Sequence, residues 1–374
     1  MTYYIYKFKR EINRIFQQFK TLIEFFYEPF LRWKYDKNRS ERLIILDGAV
    51  CLKTSKVALF LIYQPNGLAP SIHHTCAHFI EQGYLPLVIS NSALSSSDLN
   101  ELKQHAWKIL IRPNFGYDFG GYRDGIWLLN KLEISPDFLI IINDSIWFPI
   151  FHNDKTIERM ENAPAAFVGA LQIDQSRSVN RRRFKHPFMG SFFWLLKKDA
   201  IINPAFQSFW SSYKMTSNKY KTIRRGERLF SKVMADAQVK SHAMFSRGML
   251  DQYVMQSPAA ELLDILRNLS AVDNRLIEHQ QQCIHNFKDD LSWSTEAREV
   301  IFKLTDKQNI LASAPVITIQ NFGVSYIKKS GDFANTIAMK KINENIESGK
   351  IFGVVDLVFK EFNFKTEILY PSSK

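Results

Sequence analysis

Cysteine is scarce and scattered in this chain. Among 374 residues only Cys51, Cys76 and Cys283 are cysteines. Their number is odd, their spacing is wide, and no CxxC pair occurs. That pattern argues against a disulfide framework or a zinc site and fits a reducing compartment. Long apolar runs are also missing. No stretch of about 18 or more apolar residues occurs, so no transmembrane helix is expected. The opening MTYYIYKFKREINR lacks an uninterrupted apolar core and a small-residue cleavage site, so it does not read as a secretory signal. Neither G-x-G-x-x-G nor a Walker lysine motif occurs, which excludes the standard dinucleotide and NTP loops. Internal repeats and low-complexity tracts are absent.

Basic residues and aromatics are plentiful. Lys and Arg number 49 against 37 Asp and Glu, a formal net charge of +12, alongside 30 Phe, 14 Tyr and 7 Trp. The balance favours an anionic partner without choosing among nucleic acid, phosphorylated ligand and acidic membrane. Part of it sits in the first forty residues. Ile12, Ile15, Phe16, Phe19, Leu22, Ile23 and Phe26 recur at helical spacing, with Lys7, Lys9, Arg10, Arg14 and Lys20 between them. The spacing predicts a basic amphipathic helix ending near Pro29. Two readings fit it: a helix packed on the protein surface, or one lying on an anionic membrane.

From about residue 55 the pattern alternates. Strands are predicted over 56–63, 84–90, 108–114 and 138–144, with helices over 69–83, 95–106 and 118–132 between them. Pro86 would put the second strand at an edge or shorten it. Strands follow over 167–173 and 191–198, and a helix over 203–213. Beyond about 250 the chain reads mainly as helices. Short strands alternating with helices predict an α/β protein with a Rossmann-type, mostly parallel sheet. The expected division is an amphipathic extension (1–40), an α/β domain (41–250) and a mainly helical region (251–374).

In a parallel sheet, ligands bind at the carboxyl ends of the strands. Two polar clusters fall there. The first, RPNFGYDFGGYRDG (112–125), leads from a strand into a helix. Asp118 stands where an N-cap is expected, before Phe119, Tyr122, Ile126 and Leu129 at helical spacing. Gly120 and Gly121 in the first turn each cost about 1 kcal/mol of helix stability relative to alanine. Either the helix N-terminus approaches a ligand such as a phosphate, or the glycines only permit tight helix–sheet packing. The second cluster is Asn143-Asp144-Ser145, at the tip of the apolar run 138–142. Asp144 could hold a divalent cation through oxygen, or cap a turn before Pro149. His73 and His74 are adjacent on a helix, share no face, and read as structural.

The stretches NFGYDFGGYRDG (114–125) and IINDSIWFP (141–149) resemble the rhamnan synthesis protein F family of bacterial glycosyltransferases. HPFMGSFFWLLKK (186–198) and RRGERLFSKVM (224–234) are weaker matches to it, and the resemblance covers roughly 55–250. It implies a GT-A-like fold and transfer of a sugar, possibly rhamnose, from a nucleotide-sugar donor to a growing polysaccharide or lipopolysaccharide acceptor. It also implies Mg or Mn held by Asp144, although the single acid of Asn143-Asp144-Ser145 departs from a full DxD motif. Asn114, Gly116, Asp118, Gly120, Arg123, Asn143 and Ser145 would line the donor site. Glu227 is the candidate base, or else a carboxylate favoured by a helix dipole. Arg123 and the loop residues Arg177, Arg181, Arg182, Arg183 and Lys185 would assist at the diphosphate, or else the loop is simply solvated. The expected setting is cytoplasmic, peripheral at the inner membrane face, with a lipid-linked acceptor and no nucleic acid. A basic nucleic-acid-binding protein and a metal-dependent phosphohydrolase are the alternatives.

Overall fold

A computed structural model describes residues 24, 26–178, 184 and 186–369, with backbone only for 364 and 366–369. The amphipathic pattern before residue 24, and Arg181–Arg183 with Lys185, lie outside these residues.

Eight strands form one sheet in the order β1-β4-β3-β2-β5-β10-β7-β11. They are β1 (Ile44–Asp47), β2 (Lys56–Ile62), β3 (Leu85–Ser90), β4 (Lys108–Ile111), β5 (Phe138–Asn143), β7 (Phe167–Gly169), β10 (Phe193–Lys197) and β11 (Ser241–Ala243). The central four, β4-β3-β2-β5, run parallel. β1 and β10 run against their neighbours, and β11 is parallel to β7. This is the Rossmann-type, mostly parallel α/β sheet that the alternation predicts. Two small ladders stand outside it: β6 (Ile146–Trp147) with β12 (Ile327–Lys328), and β8 (Gln172–Ile173) with β9 (Phe188–Met189).

The side-chain period of two sorts the sheet into two buried faces. Ala58, Phe60, Ile62, Val88, Ile140, Ile142 and Leu195 share one core with Leu262, Leu266, Trp293 and Ile301 from the C-terminal helices. Val57, Leu59, Leu61, Ile89, Leu139, Ile141 and Trp194 share the other with Phe119, Tyr122, Trp210 and Phe230. A third, smaller core joins Trp147 to Ile327, Met339 and Phe362. The C-terminal part is mainly helical, as expected, and its helices from Ala259 to Lys307 cover one face of the sheet.

Three local expectations are corrected. Pro86 lies in β3, which is inside the sheet between β2 and β4. The nitrogen and carbonyl of a strand residue point the same way, and the Pro86 carbonyl accepts from Trp107 just below the first rung of β4. The missing N–H therefore falls where β4 has not yet begun. The single strand predicted over 167–173 is divided. After Gly169 the chain passes Met189 so closely that a Cβ would meet its sulfur at 2.6 Å, and it then joins the β8–β9 ladder. Finally, Asp118 is not the helix cap. The helix is Tyr117–Lys131, and Gly116, at φ +88°, takes the N-cap position.

Candidate active site

Asp118 is turned inward by its backbone. Gly116 and Tyr117 are consecutive residues with positive φ, +88° and +51°. For tyrosine that region is strained, by on the order of 1 kcal/mol or more, and such strain clusters at functional sites. The turn puts Asp118 in the first helical turn facing β5, where its Oδ2 accepts from Asn143 Nδ2 at 3.0 Å. Asn143 Oδ1 in turn accepts from the Ser145 backbone N–H at 3.2 Å and from Ser145 Oγ at 2.5 Å. Gly120 is needed for this geometry: a Cβ there would meet the Phe115 carbonyl oxygen at 2.2 Å.

Asp144 follows at the tip of β5. Its Oδ2 accepts from the Tyr63 backbone N–H at 2.8 Å and from Gln64 Nε2 at 2.6 Å. Both donors come from the chain just beyond β2, the parallel neighbour of β5. Burial pushes the Asp144 pKa up against these two bonds.

Glu227 arrives from the far side. It sits in a π-helical turn, Arg224–Arg228, a rare form that is frequent at functional sites. Gly226 lets this turn press on the Phe119 ring, which a Cβ would meet at 2.6 Å. The contact brings Glu227 beside the helix that carries Asp118. Its Oε1 accepts from the hydroxyl of Ser191 and from the Ser191 N–H at 3.3 Å. Tyr122 Oη donates to the Ser191 carbonyl at 2.9 Å, so the support for Glu227 is itself anchored. Ser191 stands just before β10, which runs antiparallel to β5, so both meet at one end of the sheet.

Charge couples these groups. Burial, then the charges of Asp144 and Glu227, push the Asp118 pKa up to about 6, against Lys328 and the Asn143 bond. Burial pulls Lys328 down to about 8, against the attraction of Glu227 and Asp118. A carboxyl poised near 6 suits proton transfer at neutral pH.

Asp118, Asn143, Asp144, Ser145 and Glu227 are thus brought together. Gly116 and Gly120 shape the backbone beside them, and Asn114 is exposed in the preceding loop. Arg123 is held elsewhere. Five residues beyond Asp118, it lies about 140° around the helix, and both its terminal nitrogens bind Asp36, at 2.7 and 3.1 Å. Arg177 is also occupied, by Asp251 and the Phe302 carbonyl. Sequence reasoning missed Tyr63, Gln64, Ser191, Lys328 and Lys329. The strand-tip rule applied to β2 would have found the first two, and Ser191 lies inside the recognised segment 186–198. Lys328 ends a two-residue strand in a helical region and Lys329 follows it, and neither carries a signal of its own.

Among the described residues no group of three or more His, Cys, Asp or Glu is arranged to hold a metal ion. The mode that fits is a magnesium-type ion bound by Asp144 alone, with phosphate and water completing its shell.

The fold is a GT-A-like α/β fold, and Asp118, Asp144 and Glu227 gather at the carboxyl end of its parallel strands. The rhamnan synthesis protein F family matches residues 87–283, and the chain belongs to that family. It is also 33% identical over 221 residues to an uncharacterized protein, y4gN, of Sinorhizobium fredii. That alignment covers 59% of this chain and 56% of the relative, so the chain spans little more than half of that protein's length.

Proposed function

We propose that this chain is a glycosyltransferase that moves a sugar such as rhamnose from a nucleotide-sugar donor to a growing polysaccharide or lipopolysaccharide acceptor. The observation that carries the reading is the convergence of Asp118, Asp144 and Glu227 at the carboxyl end of the parallel strands, with the Asp118 pKa raised to about 6. Membership of a family named for rhamnan synthesis supports the substrate class. In the reaction an acceptor hydroxyl oxygen bonds to the anomeric carbon, and the carbon–oxygen bond to the diphosphate breaks. The electron pair leaves with the diphosphate, and the hydroxyl proton passes to a carboxylate. Glu227, fixed through Ser191, is the base in this scheme. Asn143 holds Asp118 at the donor side. A divalent cation bound by Asp144 would supply charge to the diphosphate.

The N-terminal helix, residues 26–37, supports a setting at a membrane surface. Its outer face exposes Tyr27, Phe30, Leu31 and Trp33, with Lys37 over the Trp33 ring at 5.1 Å. Aromatics with flanking lysines suit the interface of an anionic membrane, where a lipid-linked acceptor would be found. Among the described residues no helix is long and apolar enough to cross a membrane.

The test is release of nucleoside diphosphate from a panel of nucleotide sugars, nucleotide-rhamnose included, with and without oligosaccharide acceptors. Acceptor-dependent release is expected, and Glu227→Gln should lower it by about 10²–10⁴-fold with the fold intact. Phosphate release from simple esters without an acceptor would favour a phosphohydrolase. Full activity in Glu227→Gln would remove that residue from the role of base.

A further inference from the structure

We propose that Lys328 and Lys329 of β12 receive the diphosphate of the donor, an assignment that rests on the glycosyltransferase reading above. These residues come from the C-terminal part of the chain, nearly eighty residues beyond the resemblance at 55–250. β12 nevertheless pairs with β6, which directly follows Asn143-Asp144-Ser145. Lys328 stands opposite Ile146, and the Lys329 backbone N–H donates to the Ser145 carbonyl at 2.7 Å. Two ammonium groups are therefore tied by backbone bonds to the acid-tipped turn.

What distinguishes Lys328 is that its charge is unspent. Other lysines of similar enclosure are paired. Lys221 binds Glu24 at 2.8 Å and Glu28 at 3.1 Å, and Lys56 binds both oxygens of Glu161. Among the described residues Lys328 has no such ion pair and no hydrogen bond. Its Nζ lies 3.4 Å from the centroid of the Phe192 ring, which holds a cation without using up its donors. The charged groups that face it, Asp118 and Glu227, attract it without pairing. Lys329 gives one donor to Ser71 Oγ at 3.0 Å, and an ammonium has three. Asp144 and Glu361 are its anionic neighbours.

An ammonium kept partly dry, fixed in place and free to donate is what a leaving diphosphate requires. Charge that builds on the departing oxygens is stabilised most by donors already oriented in a water-poor site. At neutral pH Lys328, with its pKa pulled to about 8, remains mostly protonated. The rival role for Lys328 is purely internal: to offset the charge of Asp118 and Glu227 without meeting any ligand.

Calorimetry on the full chain separates these roles. The probes are inorganic pyrophosphate, UDP and dTDP at pH 7, first with a chelator and then with Mg²⁺. A hydrogen bond between charged groups contributes about 1.5–3 kcal/mol, and 1.4 kcal/mol is tenfold. Lys328→Met should therefore weaken binding of all three probes by roughly tenfold or more in chelator, with Lys329→Met losing less. Lys328→Arg, which keeps the charge, should bind within a few-fold of the wild type. A denaturant midpoint for each variant shows that it is folded. Equal binding by the wild type and a folded Lys328→Met would overturn the lysine assignment and leave the glycosyltransferase reading standing. So would binding that needs Mg²⁺ and is indifferent to Lys328. If the wild type binds no diphosphate under any condition, both fall together.

Discussion

The Tyr117–Lys131 helix carries buried charge on two of its faces, and the two faces handle it differently. On one, Asp124 is fully buried, with two hydrogen bonds to its Oδ2 and Arg39 Nε 3.5 Å from its Oδ1. Asp124 Oδ2 accepts from Arg112 Nε at 2.7 Å and from Tyr35 Oη at 2.5 Å. Arg112 also binds Asn91 and the Phe115 carbonyl, while Arg123 binds Asp36. This network fastens the N-terminal helix to the sheet. Glu28 adds a second fastening, to Thr216, Lys221 and Arg225. Burial opposes the ionisation of Glu28, yet those three partners outweigh it and hold its pKa below the usual range. On the other face, burial and then the charges of two further carboxylates, Asp144 and Glu227, push the Asp118 pKa up instead. Dense buried charge alone does not mark a site. Charge whose partners cancel it builds structure, and charge left mutually opposed is available for chemistry.

Breaking the paired side should cost stability. Arg112→Ala removes the hydrogen-bonded cation of the buried Asp124 carboxylate and leaves it only the more distant Arg39, at 3.5 Å. Removing one partner of a buried pair costs about 3–5 kcal/mol, and a denaturation midpoint would read it. Diphosphate affinity measured well below the transition should change little. A variant as stable as the wild type would show that Tyr35 and Arg39 together satisfy Asp124.

Breaking the opposed side should have the reverse sign. The Asp118 carboxyl goes from an ordinary value of 3.8 to about 6 on folding. A raised acid pKa means that ionisation is harder in the folded state. The stability of the wild type therefore falls as pH rises from about 4 to about 6, by on the order of 2 kcal/mol. Asp118→Asn removes that loss and can still accept from Asn143. It should match the wild type near pH 4, exceed it in stability at pH 7, and lose activity there. Parallel stability curves from pH 4 to 7 would contradict the assigned environment.

The same contrast explains what could be read in advance. The sheet was legible because its strands are apolar on both faces and bounded by helices of the right length. The second cluster was legible because Asn143-Asp144-Ser145 ends the most apolar strand of the chain. The first cluster was only half legible. Arg112, Asp118, Arg123 and Asp124 look equivalent in sequence, and only helical phase separates those that bind Tyr35 and Asp36 from the one that meets Asn143. Gly121 shows the limit from another side. Its Cβ would meet Leu61 Cδ1 at 2.3 Å, so it serves helix–sheet packing, while Gly120, next to it, shapes the turn at Asp118. Lys328 was not legible at all, because its position depends on a pairing across about 180 residues, and composition does not encode such a partner.

The smallest expected effect on stability falls on the outer face of the fastened helix. Trp33 is 57% exposed and Phe30 is 58% exposed, and the two rings stack with centroids 5.9 Å apart. The opposite side of this helix already supplies the docking contacts through Glu28, Tyr35 and Asp36. Trp33→Ser should therefore shift folding stability by no more than about 0.5 kcal/mol, as surface changes do. Its effect should appear in binding to vesicles. Sedimentation of the full chain with vesicles containing anionic lipid should fall several-fold in the variant, and wild-type binding should weaken with added salt as its lysine contribution is screened. A clear loss of stability with unchanged vesicle binding would instead mean that this aromatic face is covered by protein, and the residues before 24 would be the segment to test next.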